Sequence, residues 1–198
     1  MRTKKLVLNT TFSLLEEVVA IICAFILPRL ILSYFGSKYN GLITSITQFL
    51  TCAVLLRSGI GGATRAALYK PLATNDKNKI NSIVKATDLF MKKIGLIILV
   101  LMLVFSSIYA FFVIKEFEWF FTFTLFLIIG LSTFAESFFG ITYLIILQAD
   151  QALWISSITK SLCYILNVII ASILIISGFG IHIVKFGSAF AFCLYPIH

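Results

Sequence analysis

The sequence predicts an all-α fold, a polytopic transmembrane helix bundle with five full spans and a partial sixth. Two observations predict this class. The 198 residues are 60% hydrophobic and only 12% charged, whereas a soluble domain carries about 25% charged residues. The apolar residues also form continuous runs of about 20 or more, the length at which a helix crosses the hydrocarbon core of a bilayer. These runs do not alternate in polarity as barrel strands do, so helices are expected.

The predicted spans follow one another with short connections, except for a long one over 63–93. The first span continues past its basic start without a cleavage signal, so we interpret it as a retained span and not a signal peptide. Glycines are expected to end the second. A sixth run begins near Ile183 and is too short to cross, so either the chain is truncated or this run enters the membrane without crossing it. Residues 1–198 are interpreted as a single transmembrane domain. The full spans are predicted at 6–32, 41–62, 94–114, 119–147 and 153–177.

The 63–93 connection is basic and amphipathic. Pro71 is expected to break the chain there, and Asn75 or Asp76 to cap a following helix. That helix is predicted to lie at the inner membrane surface and to run into the third span. Its basic residues either anchor the topology or contact an anionic substrate headgroup. Its apolar face comprises Ile80, Ile83, Val84, Thr87, Met91 and Ile94.

The basic residues also predict the orientation. The net charge of +8 would suggest nucleic acid in a soluble protein, but here the charges lie between apolar runs and no nucleic-acid partner is expected. The N-terminal tail and the 63–93 connection together hold ten Lys and Arg residues, whereas the opposite connections hold Lys38 and Lys115. This asymmetry predicts a multi-pass protein of the plasma membrane with a cytoplasmic N-terminus.

Polar residues within the predicted spans fall into stripes at helical spacing. Such stripes line a hydrophilic cavity or mediate helix packing, and for Glu16, Glu136 and Lys160 a cavity is favoured because charges in lipid are costly. A Glu136–Lys160 pair is geometrically feasible. Arg29, near the far end of the first span, either snorkels or binds phosphate from the cavity wall. The stripes comprise Asn9, Ser13, Glu16 and Ala20; Ser132, Glu136 and Gly140; Ser156, Lys160, Tyr164 and Asn167; and, on the second span, Thr44, Gln48, Thr51 and Ser58.

No motif for enzyme chemistry is visible, such as a phosphate-binding glycine loop, a zinc-protease helix or a nucleophile elbow. The four cysteines lie inside apolar runs without CxxC spacing, which is typical of small buried residues. The sequence therefore predicts a protein that is not an enzyme, with no cofactor and no metal.

Two stretches resemble polysaccharide flippases of the multidrug/oligosaccharidyl-lipid/polysaccharide exporter superfamily. These are LPRL at 27–30 with YFGSKYNGL at 34–42, and SGIGGATRAALYKPLA at 58–73. The resemblance is best over residues 1–95 and covers the N-terminal lobe only. It departs from the family at Arg57-Ser58, where many members carry an acidic residue.

The resemblance implies a two-lobed transporter that moves an undecaprenyl-diphosphate-linked glycan across the membrane by alternating access. Its partners would be that glycan, membrane lipids, and a second lobe or a second copy. On this hypothesis Arg29, Arg65 and Lys160 contact the diphosphate or sugar headgroup, and Glu16 and Glu136 couple an ion or balance those cations. The alternatives are a multidrug-type exporter, for which an acidic cavity would be expected, and a truncated, non-transporting remnant or scaffold.

Overall fold

The structure, a computed structural model, describes residues 2–135, 138 and 141–193, without the side chains of 2–4, 53–54, 56–60, 141–143 and 193. All regular structure in this part of the chain is helical. Three helices are long and apolar enough to cross a membrane, and two more are shorter and apolar. The chain is therefore a helical membrane protein; the number of spans stays a prediction. The helices are α1 (Arg2–Phe35), α2 (Ser37–Thr74), α3 (Lys77–Phe112), α4 (Trp119–Ala135), α5 (Ile141–Ala149), α6 (Leu153–Ile176) and α7 (Ile181–Cys193).

Six of the helices form a closed ring. Around it, α1 packs on α6, α6 on α7, α7 on α4, α4 on α3, α3 on α2, and α2 returns to α1. Helix α5 lies outside this order, against α2, α3 and α6. The fourth predicted span, 119–147, corresponds to α4 and α5. We call the end with the N-terminus and the α2–α3 turn the basic end of the bundle, because it carries the Lys and Arg residues of 2–5 and 65–93.

Helices α1 and α2 are joined by a single residue, Gly36. Its φ of 87° lies in the left-handed region, where a side chain is strained and glycine is not. The connection is therefore much tighter than the loop expected over 33–40, because both helices extend into it.

Helix α2 does not end at its glycines, as the sequence analysis expected. It continues through Gly61 and Gly62 to Thr74, with Pro71 inside its last turn. Glycine weakens a helix by only about 1 kcal/mol relative to alanine and keeps its N–H, so packing against α3 can outweigh it. The expectation for the next helix is confirmed, since Asp76 caps α3 by accepting a hydrogen bond from the backbone N–H of Lys79 at 3.2 Å.

The α2 extension changes the interpretation of the amphipathic segment. Residues 77–93 form the first half of α3, and their apolar face packs on α2 and α5. Met91 is 1% exposed and packs with Leu68 of α2 and Ile145 of α5. Because protein covers the apolar face, the segment is one arm of a helical hairpin. The residues of the predicted face in or against this cluster are Ile80, Ile83, Val84, Met91 and Ile94.

A second, larger apolar core lies at the opposite end of the ring. It draws buried residues from α1, α2, α3, α4, α6 and α7, with Ile46 and Leu125 fully buried at its centre. Gly130 brings α4 close to α3, because a Cβ built there would overlap the sulfur of Met102. The two cores leave a middle zone between them.

Candidate functional site

A polar seam joins α1 to α6 along the half of the bundle nearest the basic end. Lys5 Nζ pairs with Asp150 Oδ2 at 3.2 Å, and the Ser13 and Ser157 hydroxyls lie 3.4 Å apart. Partner numbers rise together on both helices, so α1 and α6 run parallel. The polar stripe predicted on α1 therefore mainly mediates helix packing, one of the two roles that the sequence analysis allowed for it.

Asn9, which belongs to α1, caps the N-terminus of α6. The N-cap residue of α6 is Ala152, whose side chain cannot accept a hydrogen bond. Asn9 Oδ1 instead accepts from the backbone N–H of Trp154 at 3.0 Å, and Asn9 Nδ2 donates to the Gln151 carbonyl at 3.0 Å. An unpaired N–H in the first turn of a helix is costly, so Asn9 acts as a cap supplied by α1.

At the end of the seam farthest from the basic end lies an ion pair between Glu16 and Lys160. Lys160 Nζ lies 3.8 Å from Glu16 Oε1, and the side chains are 32% and 18% exposed. Two of the residues predicted to be functional are thus brought together. The sequence suggested Glu136 as the partner of Lys160, but Glu136 lies outside the described residues.

Beside this pair lies a polar cavity of about 450 Å³. Its volume falls within the range of about 300–1,000 Å³ that is usual for small-molecule sites. The wall combines hydroxyl groups, one ammonium group and two aromatic rings, and it is drawn from four helices of the ring. The lining residues are Thr47 and Thr51 of α2, Ser132 and Thr133 of α4, Lys160, Cys163 and Tyr164 of α6, and Phe192 of α7.

Three of the lining hydroxyls donate to backbone carbonyls of their own helix. Thr47 donates to Ile43 O at 2.8 Å and Thr51 to Thr47 O at 2.9 Å. Ser132 donates to Ile129 O at 3.1 Å. Tyr164 and Phe192 meet edge to face, with centroids 5.7 Å apart. The cavity therefore offers hydroxyl oxygens as acceptors beside an aromatic pair.

The three basic residues predicted to bind substrate lie at three levels of the bundle. Arg65 is 14 residues beyond Thr51 on α2, about 21 Å at 1.5 Å per residue. Its Nη1 donates to Gln148 Oε1 at 2.7 Å. Arg29 is exposed and lies 13 residues beyond Glu16 on α1, about 20 Å. In this conformation Lys160 lines the cavity while Arg65 joins α2 to α5.

Among the polar residues within the helices, sequence reasoning missed Thr47 and Thr133 of the cavity wall and Lys185 of α7. Thr47 shares the cavity wall with Thr51, and their spacing of four could have indicated it. Lys185 is a half-buried lysine in the apolar helix α7, and among the described residues it forms no ion pair. A lone charge in an apolar run was the available signal. Asn167, which was predicted to face the cavity, is 8% exposed and its Oδ1 has no hydrogen-bond partner within the described chain.

A second cavity, of about 260 Å³, has an apolar lining. It lies between α2, α3 and α4, where Phe49, Met102 and Phe126 form part of its wall. Hydrocarbon suits such a wall better than a polar ligand. No group of three or more His, Cys, Asp or Glu side chains suited to a metal is found in the described ranges.

No protein-family model matches the sequence, and comparison with curated proteins and with solved structures found no match.

Proposed function

We propose that the chain is a lobe of a membrane transporter that flips a lipid-linked oligosaccharide unit across the plasma membrane. The observation that carries the proposal is the polar cavity beside the Glu16–Lys160 pair, in the middle of an apolar helix bundle. Ionisable groups are expensive within a membrane, and where they occur they usually mark the path of a substrate or an ion. The family resemblance of residues 27–42 and 58–73 adds the class of substrate.

In this proposal the basic end faces the cytoplasm, because Lys and Arg are enriched on the inner side of membrane proteins. The undecaprenyl-diphosphate-linked glycan would meet Arg65 near that side, Lys160 at mid-depth and Arg29 near the far side, in successive stages of its passage. Glu16 and Glu136 would balance these cations or couple an ion. A second lobe or a second copy would complete the pathway, as alternating access between two repeats requires.

The Lys160 ammonium in the cavity wall favours this substrate over the organic cations that a multidrug-type exporter carries. Like charges repel strongly where water is scarce. A scaffold with no transport role would have no need of a polar cavity next to charged residues.

The test is export in the source cells. Deleting the gene is expected to accumulate the lipid-linked precursor on the inner leaflet and to reduce surface polysaccharide. Restoring the gene with Arg29→Ala, Arg65→Ala and Lys160→Ala combined is expected to leave export at least about tenfold low, since 1.4 kcal/mol of lost stabilisation gives that factor.

Lys77→Ala is the matched control, because it removes an exposed lysine from the tip of the hairpin. It should restore export fully. Normal surface polysaccharide in the deletion strain, or full export by the triple variant, would refute the proposal.

A further inference from the structure

The polar cavity presents an unusual combination of hydrogen-bonding groups. A threonine or serine hydroxyl has one donor and two acceptor lone pairs. The donors of Thr47, Thr51 and Ser132 are engaged with carbonyls of their own helices, an arrangement usual for hydroxyls within helices. What these three residues offer a ligand is therefore acceptor capacity.

The charged hydrogen-bond donor of the same wall is the Lys160 ammonium. Glu16 compensates part of its charge from α1, at 3.8 Å. A ligand that fills the cavity must therefore donate hydrogen bonds to the hydroxyl oxygens and accept one from the ammonium. It must also pack against the aromatic rings of Tyr164 and Phe192.

Three classes of ligand can be compared on these terms. A diphosphate has strong acceptor oxygens and no donors at neutral pH, so it would leave the hydroxyl acceptors unmatched and would compete with Glu16. An organic cation would meet the Lys160 ammonium. A sugar hydroxyl is both donor and acceptor, and the C–H face of a sugar ring suits the negative face of an aromatic ring.

We propose that this cavity binds the neutral sugar of the substrate, with the Thr47, Thr51 and Ser132 hydroxyls as acceptors, and does not bind the diphosphate. The inference rests on the proposed function and assigns one part of the substrate to one site. Lys160 then positions a sugar hydroxyl, and the diphosphate is left to other basic residues, such as Arg65 or Arg29.

The test uses the purified full chain in lipid nanodiscs, with methyl glycosides of glucose, galactose and N-acetylglucosamine as probes. Saturation-transfer NMR is expected to show binding of at least one glycoside. Thr51→Val keeps the shape of the side chain and removes the acceptor, so it should weaken that binding about fivefold, the effect of one hydrogen bond. Inorganic pyrophosphate, followed by ³¹P line broadening, should respond equally to wild type and Thr51→Val.

Thr44→Val is the matched control. Thr44 lies on the same helix, is exposed, and donates to Asn40 O at 2.8 Å, so the substitution removes the same groups outside the cavity. It should leave glycoside binding unchanged. If Thr51→Val does not fold, Thr47→Val provides the same test.

Several outcomes would overturn the inference. They are the absence of glycoside binding, equal weakening by Thr44→Val and Thr51→Val, a pyrophosphate signal that Thr51→Val removes, and displacement of the glycoside by the organic cation tetraphenylphosphonium. The export assay separates this inference from the proposed function. Normal export in the deletion strain refutes the function, whereas lost export with no glycoside binding refutes only the assignment of the sugar.

Discussion

Removing either charge of the Glu16–Lys160 pair is expected to destabilise the protein by about 1–2 kcal/mol through the lost coupling. Two unit charges 3.8 Å apart attract each other by about 4 kcal/mol at an effective dielectric constant of about 20. Desolvation of the pair offsets part of this attraction. The side chains also stay 18% and 32% exposed, so solvent screening weakens the attraction further. We expect a coupling energy of about 1–2 kcal/mol.

A double-mutant cycle measures this coupling. The free energies of unfolding of Glu16→Gln, Lys160→Met and the double variant would be determined in detergent micelles by denaturant titration, followed through tryptophan fluorescence. The double variant should lose less stability than the sum of the single variants, because neither charge is then left without its partner. Contacts of Lys160 with other residues are the same whether position 16 is Glu or Gln, so their contribution cancels in the cycle.

The Lys5–Asp150 pair is the matched control. It joins α1 to the turn before α6, whereas the inner pair joins α1 to the body of α6, and its charges are closer, at 3.2 Å. Its side chains are 43% and 57% exposed, however, so screening should hold its coupling below about 1 kcal/mol. Additive effects in the Glu16–Lys160 cycle, or a larger coupling in the control cycle, would refute the argument that burial sets the strength of the inner pair.

Two further predictions concern stability. Asn9→Ala should lower the free energy of unfolding by about 1–2 kcal/mol, because the Trp154 N–H loses its cap. The control is Asn81→Ala, at an exposed helical position without a cap role, which should leave stability unchanged or raise it slightly. Equal effects of the two substitutions in denaturant titrations would contradict the role of Asn9. Gly130→Ala should cost about 1–3 kcal/mol by overpacking, because the added methyl group meets the Met102 sulfur. The same substitution should cost less in a Met102→Ala background, where the sulfur is absent. An unchanged melting temperature for Gly130→Ala would show that α3 and α4 are not closely packed there.

Local features of the fold were accessible from the sequence. The apolar face of the 77–93 segment was identified by its helical spacing, and Met91 is indeed buried at 1% exposure. The sequence offered Asn75 or Asp76 as the cap of the next helix, and Asp76 is the residue that caps it. Both follow from chemistry within a few residues of one another.

Long-range pairing was not accessible. The sequence did not pair Lys160 with Glu16, which lies 144 positions away in the chain but 3.8 Å away in the structure. Periodicity identifies which face of a helix is polar but not which helix that face meets. Likewise, the glycines of α2 concealed the extension of that helix, which packs on the apolar face of α3.

The parallel seam between α1 and α6 also has a consequence for biogenesis. Its hydrogen-bonded partners lie 142–145 residues apart in the chain. The ribosome therefore delivers Asn9, Ser13 and Glu16 to the membrane long before Gln151, Ser157 and Lys160 exist. Until α6 arrives, α1 must hold an uncompensated carboxyl group near lipid, and the start of α6 has no cap unless α1 is already in place. Insertion of α6 is thus the step that fixes the position of the first helix in the bundle.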